Sequence, residues 1–294
     1  MDRLTVKAPA KLNLSLDVCG VREDGYHILK MIMQTIDLCD YVTVATNQKG
    51  SITIRCDRAD VPLDNQNIAY HCAAAFFEET QILNCGVEID IQKHIPSQAG
   101  LGGGSADGAA TLVALNELFD AGLSKEELCD IGVACGADIP FCIMGGTMLA
   151  EGVGDIFTPL PSLPEDCWFV VAKPGAGIST AEAYRAYDQK GARHRPDHDQ
   201  LVAEIVSGNL EQLGQSMHNV LEEAVRADFV QPLKQAMDAA GALGSMMTGS
   251  GSAVFGLFDN KRKASRCENQ LEDCADQVFL CQPLEHGAVS CKEN

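Results

Sequence analysis

Pro96-Ser97-Gln98-Ala99-Gly100-Leu101-Gly102-Gly103-Gly104-Ser105 is the stretch from which the rest of the chain is read. Gly86 to Ile95 leads into it with alternation, Val87, Ile89 and Ile91 against Glu88, Asp90 and Gln92, which predicts a strand. Ser105 to Phe119 leads out of it with a helical pattern. A glycine-rich turn between strand and helix lets backbone N–H groups close on phosphate oxygens, and the helix adds the positive end of its dipole. The Ser105 hydroxyl could bond a phosphate or reach a Mg²⁺ ion. Neither G-x-x-x-x-G-K-[ST] nor G-x-G-x-x-G occurs, so this is no Walker A loop and no dinucleotide fingerprint. The competing reading of the run is a mobile surface hinge, against which stands the helix that follows it directly.

Other segments carry candidate chemistry. In Lys11-Leu12-Asn13-Leu14-Ser15-Leu16-Asp17-Val18 the alternation puts Lys11, Asn13, Ser15 and Asp17 on one polar strand face. That face reads equally as a solvated edge or as the wall of a cleft. Asp138 lies in Gly136-Ala137-Asp138-Ile139-Pro140, where Pro140 restricts Ile139 and places Asp138 at a helix end or tight turn. It is either a backbone cap or a partly buried base whose charge a cation holds, Lys11 being the candidate. Thr248-Gly249-Ser250-Gly251-Ser252 precedes an apolar strand and taken alone fits a hairpin turn. Tyr26-His27 follows the turn signal Asp24-Gly25, which would expose both rings, for packing or for recognition.

The remaining pattern is mixed α+β. Strands are predicted over 40–46, 51–56, 141–149, 168–172, 244–248 and 253–258. Helices are predicted over 65–80, 180–189, 210–225, 230–239 and 261–274, and Ser124 to Glu127 (SKEE) is a capping box opening another. Residues 191–199 read as a polar loop. The shift to Gly, Pro and acid near 152–164 marks a boundary between units 1–155 and 156–294. With 294 residues, 46% apolar and 21% charged, the composition is globular, which excludes disordered, collagen-like and coiled-coil chains. The net charge of −19 argues against nucleic acid as a partner. No apolar run spans a membrane and no secretory h-region opens the chain. The thirteen cysteines include no C-x-x-C pair, and contexts such as those of Cys19, Cys39, Cys142 and Cys281 suggest buried free thiols in a reducing cytoplasm. Cys267, Cys274 and Cys281, seven residues apart, read as a core stripe. No histidine pair has metal-ligand spacing and no G-x-S-x-G elbow occurs, so metal and serine hydrolases drop out.

Taken in order, three of these segments resemble the motifs of the GHMP kinase superfamily, named for galactokinase, homoserine kinase, mevalonate kinase and phosphomevalonate kinase. They are Ala8-Pro9-Ala10-Lys11-Leu12-Asn13-Leu14, the loop Pro96 to Ser105 continuing Ala106-Asp107-Gly108-Ala109-Ala110, and Thr248 to Ser252. The resemblance covers nearly the whole chain. It implies a two-lobed α+β fold, with an N-terminal lobe like ribosomal protein S5 domain 2 and a ferredoxin-like C-terminal lobe. It also implies ATP and Mg²⁺, the nucleotide lying along Pro96 to Ser105 and Ala106.

Five stretches are similar to the branch of that superfamily that serves non-mevalonate isoprenoid synthesis: Pro9 to Leu16 with Lys11, Arg22 to His27, Gly100 to Asp107, Gly136 to Phe141 and Glu151 to Asp155. That likeness implies a small acceptor, a diphosphocytidyl-linked methylerythritol, phosphorylated on its 2-hydroxyl. Asp138 would be the base and Lys11 the cation that keeps it ionised. Tyr26 and Tyr184 would stack on cytosine, at about 1–3 kcal/mol each, His27 would bond its edge, and Asn13 and Thr180 would hold the erythritol and phosphate region. Ser97-Gln98-Ala99 and Ala106 depart from the commonest loop, which puts details of nucleotide contact in question. A monomer or weak dimer is expected. The alternatives are a homoserine- or mevalonate-type kinase, or a nucleotide-binding module without chemistry.

Overall fold

Alternation at the N-terminus produces two long antiparallel strands, β1 (Arg3–Val21) and β2 (His27–Asn47), paired from Arg3↔Ala45 to Val21↔His27. The register slips at Pro9/Lys11, Asn13/Ser15 and Val18/Gly20, and such bulges re-aim side chains. The polar face of β1 is not a solvated edge: Lys11, Asn13, Ser15 and Asp17 are all buried. The structure, a computed structural model, describes residues 2–47, 49–83 and 85–291; of the tail 283–294, residues 292–294 lie outside the described residues.

The first half continues with β3 (Ile52–Cys56), α1 (Ile68–Thr80), β4 (Gly86–Gln92), α2 (Gly103–Leu118), α3 (Lys125–Val133), α4 (Ile139–Met144), β5 (Thr147–Glu151) and β6 (Ile156–Leu160). Helices α1 and α2 cover the sheet. Cys72, Ala73 and Phe76 of α1 and Ala106, Ala109, Ala110 and Leu112 of α2 share one core with Val42, Val44, Ile89 and Ile91. The SKEE capping box opens α3, Ser124 and Glu127 bonding reciprocally to each other's backbone. The strand expected over 141–149 is instead helix and then strand. Pro140 in the first turn suits a helix start, and α4 ends at Gly145, whose φ of 70° breaks it.

The second half comprises β7 (Trp168–Lys173), α5 (Thr180–Lys190), α6 (His198–Ser207), α7 (Leu210–Ser216), β8 (His218–Asn219), α8 (Val220–Val225), α9 (Val230–Ala240), β9 (Gly244–Met247), β10 (Val254–Phe258), α10 (Lys261–Leu271), β11 (Gln277–Cys281), β12 (Pro283–Leu284) and β13 (Val289–Ser290). Its sheet has the order β11-β7-β10-β9, every neighbour antiparallel. Numbered within the sheet that is 4-1-3-2, with helices between the first and second strands and between the third and fourth. This is ferredoxin-like topology.

The helix expected over 210–225 is two helices, because the chain breaks at Met217 to Asn219 to pair with β1 (Ser15↔His218). Helix α6 goes unread in the sequence and begins at His198, inside the expected 191–199 loop, where Asp197 caps it; β6 and β11 go unread too. The 191–199 loop is tied down: the Arg195 Nη1 donates to Asp17 Oδ1 at 2.7 Å and to the Val18 carbonyl at 2.9 Å. After β11 the chain returns to the first sheet, where β12 pairs with β2 and β13 with β1. All thirteen cysteines are free. Cys142 and Cys281 are buried, but Cys39 is half-buried and Cys19 exposed. The seven-residue stripe is corrected too: Cys267 lies in α10, Cys274 beyond its end and exposed, and Cys281 in β11.

Candidate active site

The β1 bulge at Pro9/Lys11 frees the Lys11 backbone N–H, which donates to the Leu101 carbonyl of the glycine loop at 3.0 Å. The first and second motifs are thereby joined. The third joins both. Asn13 N–H donates to Thr248 Oγ1 at 3.0 Å, and Ala253 N–H to the Ala99 carbonyl at 3.0 Å. A Cβ on Gly100 (φ +74°) would stand 2.2 Å from the Thr248 carbonyl oxygen, so only glycine permits the two loops to touch. At Gly249 (φ +55°) a Cβ would lie 3.3 Å from both Lys11 Nζ and Asn13 Oδ1, which places the third motif against the polar face of β1.

In that cleft Lys11 Nζ donates to Asn13 Oδ1 at 2.7 Å and stands 3.6 Å from Asp138 Oδ2. The Lys11 side chain is 6% exposed and that of Asp138 33%. Asp138 sits at the N-cap of α4 without using its side chain as a cap, so the carboxylate is free for other work. Ser105 lies in the first turn of α2, its Oγ 3.9 Å from where a Cβ on Gly136 would be. Tyr184 of α5 borders the same space. Burial, and then the nearby Asp138 charge, push its hydroxyl above the usual phenol range, so it remains a donor.

The remaining sequence-selected residues divide. Thr180 Oγ1 lies 3.1 Å from Ser250 Oγ, so α5 meets the third motif. The His27 ring stacks on Tyr184, centroids 4.6 Å apart at 28°, and its side chain is 17% exposed, against the expectation of two exposed rings. Tyr26 is 66% exposed and stacks on no ring among the described residues. In the loop, Pro96, Ala99, Leu101 and Ala106 are buried and Gln98 is exposed with φ of 52°. Ser97 lies near enough to Asp60 to hold that carboxyl below its usual range, so this departure from the common loop faces the segment before α1.

Sequence reading missed two groups. Asn219, 2% exposed, donates through Nδ2 to the carbonyls of Met247 and Gly249, both at 2.8 Å, and shapes the third motif from behind. The other lies under the glycine loop. There Lys93 Nζ pairs with Asp40 and, at 2.7 Å, with Asp107 Oδ2; the side chains are 5%, 0% and 6% exposed. Asp40 Oδ1 also accepts from the backbone N–H groups of His94 (2.6 Å) and Ile95 (2.8 Å), whereas Asp107 Oδ1 has no partner among the described residues. Burial alone would favour neutral lysine, but the two carboxylates outweigh it and raise Lys93. Burial raises Asp107 well above the carboxylate range; Lys93 opposes this and the Asp40 charge adds to it.

A carboxyl raised on folding favours the folded state fully below its unfolded pKa and loses that contribution as pH climbs toward the folded value. Asp107→Asn should therefore gain stability relative to wild type between about pH 4.5 and about pH 7. Urea midpoints at the two pH values measure this, and an equal difference at both would contradict it.

Two lobes meeting over a glycine loop, a Lys–Asp pair and a second glycine turn define a GHMP kinase. Residues 67–146 match the GHMP kinases N terminal domain and 201–277 the GHMP kinases C terminal domain. A 4-diphosphocytidyl-2-C-methyl-D-erythritol kinase of Clostridium botulinum (strain Eklund 17B / Type B) is 42% identical over 96% of this chain and 100% of its own. One from Geobacillus kaustophilus (strain HTA426) is 45% identical over 96% and 97%. The chain belongs to the 4-diphosphocytidyl-2-C-methyl-D-erythritol kinase family. A crystal structure of 4-(cytidine 5'-diphospho)-2C-methyl-D-erythritol kinase superposes with a TM-score of 0.78, at 31% identity and 97% and 100% coverage. A homoserine kinase from Cytophaga hutchinsonii superposes with a TM-score of 0.81 over 99% and 98% of the two chains, at 22% identity, which speaks for the shared fold alone.

Proposed function

We propose that Asp138 and Lys11 carry out the reaction by which this kinase uses ATP to phosphorylate 4-diphosphocytidyl-2-C-methyl-D-erythritol for isoprenoid biosynthesis. Asp138 takes the proton of the 2-hydroxyl, the oxygen forms a bond to the γ-phosphorus, and the bond from that phosphorus to the bridging oxygen breaks to release ADP. The observation that carries the assignment is a carboxylate one-third exposed at a helix start, spent on no cap, 3.6 Å from a buried ammonium. Lys11 pairs with it at 3.6 Å and lies close enough to polarise the hydroxyl. Proton removal contributes roughly 10²- to 10⁴-fold. Positioning and charge neutralisation by the loop N–H groups supply the greater share. Asn13 and Thr180 would orient the erythritol and phosphate region, while Tyr26, His27 and Tyr184 would receive the cytosine.

Mg²⁺ would be the accompanying ion, held without a protein cage. Among the described residues no three His, Cys, Asp or Glu are grouped to hold a metal. Mg²⁺ characteristically keeps waters and takes phosphate oxygens, so Ser105, facing the 136–138 segment, is the residue that would join it. When bound, the ion would neutralise charge on the transferring phosphoryl group. We further propose a cytoplasmic protein, a monomer or weak dimer that binds no nucleic acid; the free thiols support a reducing compartment and the charge of −19 speaks against a nucleic-acid partner. A division at 155/156 would give two folding units, the second lending β6, β8, β12 and β13 to the first sheet.

The test is ADP release from ATP and Mg²⁺ with the cytidyl substrate, homoserine and mevalonate in parallel. Turnover confined to the cytidyl substrate is expected. Turnover with another alcohol would overturn the aromatic pocket, and none with any would move the weight to a non-catalytic nucleotide-binding module.

A further inference from the structure

Helix α5 presents one stripe of side chains to the site. Thr180, Tyr184 and Asp188 stand four residues apart, hence on one face. Thr180 meets Ser250, and Tyr184 stacks on His27. Asp188 Oδ1 lies 2.7 Å from His27 Nε2. The imidazole, which begins β2, is thus held twice from a single helix: its plane by the tyrosine ring and its rotation by the carboxylate.

A carboxylate offers only acceptors, so the short contact requires Nε2 to carry the proton. In a neutral imidazole the other nitrogen, Nδ1, then presents its lone pair. We infer that Asp188 is a positioning residue that fixes this tautomer of His27 and so makes the site select a pyrimidine bearing an amino group over one bearing a carbonyl at the same ring position. The inference rests on the proposal that His27 meets the base edge. An exocyclic amine donates to Nδ1; a carbonyl there would set two acceptors against each other. Unpaired polar contacts of this kind discriminate far more strongly than a difference in apolar bulk. The same argument explains why an acidic residue, in a site for an anionic substrate, lies behind the histidine rather than beside the phosphates.

Asp188 is 52% exposed, so its truncation opens no cavity in the core. The experiment compares wild type, Asp188→Ala, Asp188→Glu and His27→Ala, with kcat and KM measured for the cytidyl substrate, for its uridyl counterpart and for ATP. Asp188→Ala should raise KM for the cytidyl substrate and lower the cytidyl-over-uridyl preference by about tenfold or more. The ATP KM should stay within about twofold, and Asp188→Glu should restore part of the preference. Nitrogen-15 shifts of His27 should show the Nε2–H tautomer in wild type and a mixture in Asp188→Ala. If His27→Ala abolishes the preference and Asp188→Ala does not, or if wild-type His27 is an imidazolium or the Nδ1–H form, the Asp188 inference is wrong. If His27→Ala leaves the preference intact, it is the base-edge assignment of His27 that fails.

Discussion

Asp138→Asn should lower kcat by about 10²- to 10⁴-fold while leaving ATP binding near its wild-type strength. Asparagine keeps the size of the side chain but cannot accept the hydroxyl proton. The change is structurally mild, because Asp138 makes no capping bond to α4 and is one-third exposed. Lys11 retains its 2.7 Å bond to Asn13 Oδ1, so its ammonium is not abandoned. The glycine loop is held by Thr248, Ala253 and the Lys11 backbone and not by Asp138, so the nucleotide site should be undisturbed. Single-turnover kinetics with pre-bound ATP, beside calorimetric titration of ATP, separate the two quantities. Unchanged turnover would remove Asp138 as the base. A loss of ATP affinity equal to the loss of rate would make it a binding residue instead.

What could be read before the structure was chiefly local. The strand–glycine turn–helix at 96–105 declared itself because glycine, serine and alternation each have a local meaning, and α2 does begin at Gly103. Asp138 at a helix start followed from Pro140, although its α4 was mistaken for a strand: six apolar residues do not distinguish the two. Whether Lys11 faced water or a cleft depended on β8 and the third motif closing over β1, contacts between residues more than two hundred positions apart. Asn219 was hidden for the same reason, inside what looked like one long helix. Asp188 was within reach of the sequence, four residues beyond Tyr184 on a helix already predicted, but an acid on an otherwise polar helix end gave no cause to single it out. Resemblance to the superfamily supplied the roles of Tyr26 and His27; nothing in local patterning could have assigned a ring to a base.

The buried triad sets the other large effect. Asp40→Ala should destabilise the fold by about 3–5 kcal/mol, whereas Asp107→Asn on the same ammonium should cost little. Asp40 is fully buried and satisfies three donors at once: Lys93 Nζ and the N–H groups of His94 and Ile95. Removing it strands two backbone donors and leaves Lys93 with Asp107 alone, and a buried unsatisfied group carries its full desolvation cost. Asp107 serves one donor and wastes an oxygen, so an amide in its place loses no necessary acceptor and relieves a like charge. The asymmetry should extend to function. Residues 93–95 feed directly into Pro96 and the glycine loop, and a Cβ on Gly103 would stand 3.3 Å from Lys93 Nζ, so slackening at Asp40 reaches the loop proposed to cradle the phosphates. Asp40→Ala should therefore raise the KM for ATP more than that for the cytidyl substrate at a temperature where the variant is still folded. Urea unfolding of the two variants side by side decides the first point and steady-state kinetics the second. Equal destabilisation by both would show that the ammonium draws on the carboxylates alike and that the backbone bonds of Asp40 add nothing.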